Sequence, residues 1–205
     1  VQTIDTLLRN KQIPVALMSG MAGTEESFKQ LSGQSITLLH VATHGFYSPL
    51  TGHYTAQRSF EEQALSRSGL FLSGAAASLN MKKIPEDIED GILTAKELSK
   101  LDLSNLNLAI LSACQTGLGE IVGDGVFGLQ RGFKKAGAQT LLMSLWKVDD
   151  TATQLLMAEF YKNLVSGQNK RAAFLNAQKY LRSYQNGIYD KPEYWAAFIM
   201  LDGIH

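Results

Sequence analysis

Cysteine is almost absent from this sequence. Cys114 is the single cysteine among 205 residues, which excludes an internal disulfide framework and a zinc site made of several cysteines. Because secreted domains often depend on disulfides, a single cysteine favours a reducing compartment, and we expect the cytoplasm. The N-terminal residues lack the basic and then apolar stretch of a secretory signal peptide. Since position 1 is valine and not methionine, we expect a fragment or a processed product.

Net charge and long apolar runs are missing as well. Lysine and arginine together number 19, and aspartate and glutamate also number 19. This balance argues against binding nucleic acid through a basic face and against electrostatic attraction to an acidic membrane. No apolar run approaches the ~20 residues of a membrane-spanning helix. We therefore expect no direct nucleic-acid partner and no membrane association.

The sequence does contain short apolar runs that alternate with amphipathic segments. This pattern is typical of an α/β fold with a mostly parallel sheet flanked by helices. Strands are predicted over 13–18, 36–43, 108–112, 140–146 and 195–201. Helices are predicted near 2–10, after the possible caps Thr24, Thr94, Asp124 and Thr151, and around Phe174 to Leu181.

The length fits one domain over residues 1–205, because a domain typically takes ~150 residues. From about residue 46 to residue 92 the pattern breaks into prolines, glycines and polar stretches, with a possible short strand at 70–72. This segment predicts an irregular insertion, which is either a solvent-exposed loop or a functional one.

Polar or reactive residues follow three of the predicted core strands. His44-Gly45 follows the strand at 36–43, Cys114 follows the next, and Asp149-Asp150 follows the strand at 140–146. In open α/β sheets, binding sites form outside the carboxyl ends of the strands. If these strands are parallel neighbours, the three groups share one edge of the sheet.

A cysteine and a histidine at one edge can perform nucleophilic catalysis. The thiolate is the nucleophile, and a histidine of ordinary basicity can generate it. Gly45 has no Cβ, so its backbone N–H can approach a substrate oxygen. Together with the N–H of Cys114 it would form an oxyanion hole. Asp149 and Asp150 are alternatives between a helix N-cap and a pocket for a basic side chain.

Other interpretations of the cysteine and the histidines stay open on the residues alone. A cysteine at the end of an apolar strand is commonly buried and inert. His40 would lie on the same face as His44 if one regular strand carried both, and we expect His40 to be buried and structural. His53 lies in the irregular segment and is expected to be exposed. Two histidines with Cys114 have no metal-ligand spacing that we recognise, so we expect no metal and no cofactor.

Two motifs resemble those of a known family. Residues 39–46, Leu-His-Val-Ala-Thr-His-Gly-Phe, resemble the histidine motif of CHAT domains, which are caspase-like domains often attached to TPR repeats. Residues 111–119, Leu-Ser-Ala-Cys-Gln-Thr-Gly-Leu-Gly, resemble their cysteine motif. Supporting segments match in the same order along nearly the whole chain, at 68–72, 90–94, 132–138 and 144–150.

The resemblance implies a caspase-like sheet with helices on both faces and a place in the clan of caspases, separases and gingipains. It implies Cys114 as nucleophile, His44 as general base, the N–H groups of Gly45 and Cys114 as the oxyanion hole, and an acidic or shaped P1 pocket near Asp149 and Asp150. Ser112 and Thr116 depart from the caspase motif Gln-Ala-Cys-[Arg/Gln/Gly]-Gly. No arginine is placed to bind a P1 aspartate, so the caspase preference is not carried over.

The family's sheet would have a central strand before the first helix, whereas this chain begins at that helix. We expect that strand to be missing from this chain and to lie on an upstream fragment or a partner. The resulting hypothesis is a cysteine endopeptidase that cleaves a protein substrate in a bacterial signalling or defence pathway, under control of an attached TPR region or an activator protein. The alternative is a non-catalytic caspase-like scaffold.

Overall fold

The computed structural model describes residues 1–48, 60–80, 89–112, 120–122 and 125–202. The chain divides into two compact units. One consists of Val1–Leu17 and Lys147–Ile199, and the other consists of Met18–Trp146 and Met200–His205. The strands are β1 (Leu38–Val41), β2 (His44–Tyr47), β3 (Ser68–Phe71), β4 (Ile92–Thr94), β5 (Leu108–Leu111), β6 (Glu120–Val122), β7 (Gly125–Phe127), β8 (Thr140–Ser144) and β9 (Phe198–Asp202).

The helices are interspersed with these strands along the chain. They are α1 (Gln2–Asn10), α2 (Glu25–Lys29), α3 (Phe60–Leu65), α4 (Ala75–Asn80), α5 (Ala95–Leu98), α6 (Leu129–Lys135), α7 (Asp150–Val165), α8 (Lys170–Ser183) and α9 (Pro192–Trp195). Among the described residues, none of these helices combines the length and the apolar character that crossing a membrane requires.

A four-stranded central sheet has the order β1-β5-β8-β9. β1 runs parallel to β5, from Leu38 opposite Leu108 to Val41 opposite Leu111, and β5 runs parallel to β8. Every residue of β5 and β8 is buried, which explains why inner parallel strands read as unbroken apolar runs. The predicted fold class, a mixed α/β protein with a mostly parallel sheet flanked by helices, is confirmed.

A second, antiparallel sheet has the order β2-β3-β4. Gly69 of β3 faces Phe46 of β2, and a Cβ built on Gly69 would lie 2.7 Å from the Phe46 ring and 2.5 Å from the carbonyl oxygen of Leu93. The described part of the segment at 46–92 contains β3, α3 and α4, together with the end of β2 and the first residue of β4. The short strand expected at 70–72 is present as β3, two residues earlier.

Several predicted boundaries are wrong. Residues 13–18 form no strand: Pro14 lacks an N–H, and the described strands do not pair with this run, which leaves Met18 46% exposed. The strand expected over 195–201 begins at Phe198, because Pro192 starts a helix that ends at Trp195. The helix expected after Asp124, a residue outside the described part, begins only at Leu129.

The unit that contains the chain's N-terminus is helical. Its core holds Phe160 of α7 against Phe174 of α8, with the ring planes at 84° and the centroids 6.1 Å apart. Helical spacing predicts two inward-facing stripes, Leu156, Phe160 and Leu164 on α7 and Phe174, Ala177 and Leu181 on α8. All of these residues are buried except Leu164, which is half-buried. Asn169 caps α8, since its side chain accepts a hydrogen bond from the N–H of Ala172.

Candidate active site

His44 is exposed and is the first residue of β2, which follows β1 of the central sheet. Only Ala42 and Thr43 separate it from the end of β1 at Val41. The Thr43 hydroxyl donates to the carbonyl oxygen of Phe71, and the register places His44 opposite the same Phe71. The backbone at His44 is thus held by two sheets, with β1 before it and β3 beside it.

Gly45 has a backbone N–H that points away from its neighbouring strand. The N–H of Ser48 donates to Arg67 over 2.8 Å, and hydrogen-bonded pairs alternate along an antiparallel ladder. The pairs opposite Gly69 and Phe71 are therefore hydrogen-bonded, whereas Gly45, opposite Leu70, belongs to a non-bonded pair. Since β2 is an edge strand of this sheet, as far as the chain is described, the Gly45 N–H faces outward and can bond to a ligand oxygen.

Cys114 and its neighbours, residues 113–119, lie outside the described residues. Ser112, two positions before Cys114, is described. Ser112 follows β5, and its N–H donates to the carbonyl oxygen of Val41 over 2.9 Å. The Oγ of Ser112 lies 2.7 Å from the Nε2 of His40. Two hydrogen bonds therefore hold Ser112 against β1.

His40 is half-buried on β1. Burial lowers the pKa of His40 from 6.5 to about 4, so its imidazole is neutral at physiological pH. The expected burial of His40 is thus only partial, and its structural role stays a prediction. The expectation that His40 and His44 share a face of one strand is wrong, because β1 ends at Val41 and His44 belongs to a different sheet.

Asp149 and Asp150 are both exposed and lie in the other compact unit from His44. Asp149 caps α7, with its Oδ1 accepting the N–H of Ala152 over 2.9 Å. Asp150 is the first residue of the helix. The capping alternative therefore holds for Asp149, and Thr151, the cap suggested by the sequence, is inside the helix.

A charge cluster around one buried carboxylate was missed from the sequence. The Nζ of Lys29 lies 2.7 Å from Glu25, 2.8 Å from Glu89 and 3.3 Å from Glu97. The side chain of Glu25 is 1% exposed, and it accepts the N–H of Gly91 over 3.0 Å. Only local parts of this cluster have a sequence signal, namely the four-residue spacing of Glu25 and Lys29 and the capping box at α5.

The electrostatics of the cluster favour a structural role. Burial raises the pKa of Glu25. Burial also opposes ionisation of Lys29, but the ion pairs with Glu25 and Glu89 outweigh it and raise the pKa of Lys29 above its usual value. The three carboxylates lie close enough together to suit a cation, and the Lys29 ammonium already fills that place.

Comparison with known proteins identifies the family of this chain. The family model described as the CHAT domain matches residues 1–203. The chain is 34% identical over 110 residues to tetratricopeptide repeat protein 28 of Mus musculus, and 32% identical over 114 residues to the Homo sapiens protein of the same name. These matches cover 54% and 56% of this chain but only 4% of each relative. The chain belongs to the CHAT domain family, which is related to the caspase-like cysteine peptidases.

Proposed function

We propose that this domain is a cysteine endopeptidase in which Cys114 is the nucleophile and His44 is the general base and acid. The observation that carries the proposal is the pairing of β1 with β5. His44 follows β1 by three residues and Cys114 follows β5 by three residues, and these strands are parallel neighbours in direct register.

Chain length supports contact between the two side chains. An extended chain spans at most ~3.6 Å per residue, so the two residues from Ser112 to Cys114 span at most ~7 Å and the three from Val41 to His44 at most ~11 Å. Ser112 and Val41 are themselves joined by a hydrogen bond of 2.9 Å. The backbone segments that lead to Cys114 and to His44 therefore both begin at this hydrogen bond, at the carboxyl edge of the sheet.

The proposed reaction needs no group beyond these residues and water. The Cys114 sulfur, deprotonated by His44, bonds to the substrate's carbonyl carbon, and the N–H groups of Gly45 and Cys114 stabilise the negative oxygen. The C–N bond breaks as His44 gives its proton to the leaving amine. Water then adds to the thioester, His44 takes one proton and returns it to sulfur, and the C–S bond breaks to release the acid.

The finer features of the proposal concern substrate and context. Asp150, and Asp149 through the carboxylate oxygen that does not cap α7, would bind a lysine or arginine at P1. The substrate is a protein in a bacterial signalling or defence pathway in the cytoplasm, and an attached TPR region or an activator switches the domain on. The relatives with TPR names support such an attachment. In the described part of the chain, β1 is an edge strand of the central sheet, and its Leu38 is 38% exposed.

Cleavage of a peptide mixture that varies the P1 residue tests the proposal. Wild type should cleave, Cys114→Ala and His44→Ala should not, and His53→Ala serves as the control histidine. Asp149→Asn retains a side-chain oxygen able to cap α7, so it removes the charge without removing the cap. Asp150→Asn removes the second charge. Each of these two variants should reduce the preference for lysine and arginine. No cleavage by wild type, alone or within a chain that carries the TPR region, would refute the peptidase.

The open edge of β1 also fits the alternative, a non-catalytic scaffold. An unpaired edge strand is a template for strand addition by a partner. In that case Cys114 would have no reason to be activated. Its thiol would titrate near the unperturbed value of ~8.5, whereas the peptidase requires a thiolate at lower pH.

A further inference from the structure

We propose that His40 and Ser112 are positioning residues for the reaction, which fix the backbone at Ser112, two positions before Cys114, so that Cys114 meets His44. This inference rests on the peptidase function proposed above. Neither side chain is assigned contact with substrate. Their effect would pass through the backbone that leads to Cys114.

The geometry of Ser112 carries the inference. Ser112 makes two hydrogen bonds to consecutive residues of β1, from its N–H to the oxygen of Val41 and between its Oγ and the Nε2 of His40. The backbone bond continues the parallel ladder by one residue beyond β5. The side-chain bond adds a second restraint on rotation of the backbone at Ser112. A backbone bond to Val41 alone would not supply this restraint.

The surroundings of His40 make this restraint insensitive to pH in the physiological range. His40 lies on β1 opposite Ile110, so its imidazole is presented next to β5. Because its partner is a hydroxyl, which can donate or accept, either neutral tautomer of His40 can bond to Ser112. Only Ala42 and Thr43 then separate the anchored end of β1 from His44, and the bond from Thr43 to Phe71 fixes the other end of that link.

Alkylation of Cys114 by iodoacetamide, measured against pH, tests the inference without a known substrate. The chain contains no other cysteine, so the reaction reports on one thiol. The variants are Ser112→Ala, which retains the backbone bond; Ser112→Thr, which retains a hydroxyl; His40→Leu, which removes the imidazole; and His40→Gln, whose amide can replace the Nε2. Ser104→Ala is the matched control, because the Ser104 hydroxyl bonds to exposed Asp102 before β5.

We expect wild-type Cys114 to react with an apparent pKa well below ~8.5. Ser112→Ala and His40→Leu should raise the apparent pKa of Cys114 towards that of a free thiol and slow alkylation at pH 6.5 about tenfold. Ser112→Thr, His40→Gln and Ser104→Ala should stay near wild type. Rescue by His40→Gln separates positioning from proton transfer, since an amide does not titrate. Melting temperatures identify any variant that fails to fold. If Ser112→Ala or His40→Leu fails to fold, the comparison of Ser112→Thr and His40→Gln with wild type decides the outcome.

Two negative results are distinguishable. If His44→Ala raises the apparent pKa of Cys114 but Ser112→Ala and His40→Leu leave it unchanged, the positioning role is refuted and the peptidase proposal stands. If wild-type Cys114 already reacts like a free thiol and His44→Ala has no effect, the proposed function fails, and the positioning role fails with it.

Discussion

Replacing Lys29 by methionine should destabilise the protein, because it removes the positive charge of the cluster and preserves the aliphatic part of the side chain. Lys29 is the common partner of three carboxylates, of which Glu25 is 1% exposed, Glu97 35% and Glu89 38%. The variant leaves the Glu25 carboxylate buried beside two other carboxylates, with the N–H of Gly91 as its remaining bond.

The loss of stability should be about 3 kcal/mol. Removing one partner of a fully buried pair costs about 3–5 kcal/mol. Lys29 is 25% exposed, so water compensates part of that cost. Glu89 and Glu97 are each more than one third exposed, and their pairs contribute at most about 1 kcal/mol each. Lys162→Met is the matched control, because its pair with Glu159 has a lysine side chain 68% exposed, and it should cost less than about 1 kcal/mol.

The cost should also depend on pH. In wild type the raised pKa of Lys29 means that its contribution is complete below about 10.5 and is lost only in stronger alkali. In the variant the pKa of Glu25, already raised by burial, rises further. The folded variant then binds a proton that the unfolded chain releases, so its stability falls as pH rises above about 4.5. The difference from wild type should therefore be larger at pH 8 than at pH 5.

Urea unfolding followed by circular dichroism at both pH values measures these differences. The double variant Glu25→Gln with Lys29→Met removes the buried charge and should recover more than half of the loss. A loss below 1 kcal/mol at pH 8, equal to that of Lys162→Met, would refute the view that Lys29 neutralises a buried carboxylate. So would a loss that is independent of pH.

Two further predictions concern the strands around His44. Gly69→Ala should destabilise the protein by about 1–3 kcal/mol, because the new methyl group would meet the Phe46 ring and the Leu93 oxygen; Gly23→Ala, whose Cβ would find only ordinary contacts beyond 3.6 Å, should be nearly neutral in the same urea titration. The pKa of His40 is lowered to about 4 in the folded protein, so the free energy of unfolding should be highest above about pH 6.5 and fall by about 2 kcal/mol on going to pH 5. The variant His40→Gln should not show this dependence on pH. Equal acid sensitivity of wild type and His40→Gln would contradict the second prediction.

The central sheet could be predicted from the sequence because burial on both faces leaves unbroken apolar runs. The runs that became β5 and β8 show this directly. The same signal failed at 13–18, where an apolar run has no neighbouring strand in the described chain. An apolar run records a tendency to be buried, whereas a strand also requires a partner for its backbone.

The candidate site was predictable at the level of motifs but not of geometry. The placement of His44 next to β1 follows from the sequence, but its membership of a second sheet does not, because the antiparallel pairing depends on Gly69 and Phe71, which come more than 20 residues later. The bond between His40 and Ser112 joins residues 72 positions apart. Neither type of contact has a local signal, and the same is true of Glu89 beside Lys29.

Acid-quenched mass spectrometry of the domain reacting with a cleaved peptide tests the central claim most directly. During turnover, fragmentation should locate on Cys114 a transient mass gain equal to that of the N-terminal product less one water. The gain should be absent in Cys114→Ala and strongly reduced in His44→Ala. Turnover without an adduct on Cys114, or an adduct on another residue such as Ser112, would contradict the assignment of Cys114 and His44 as the catalytic pair.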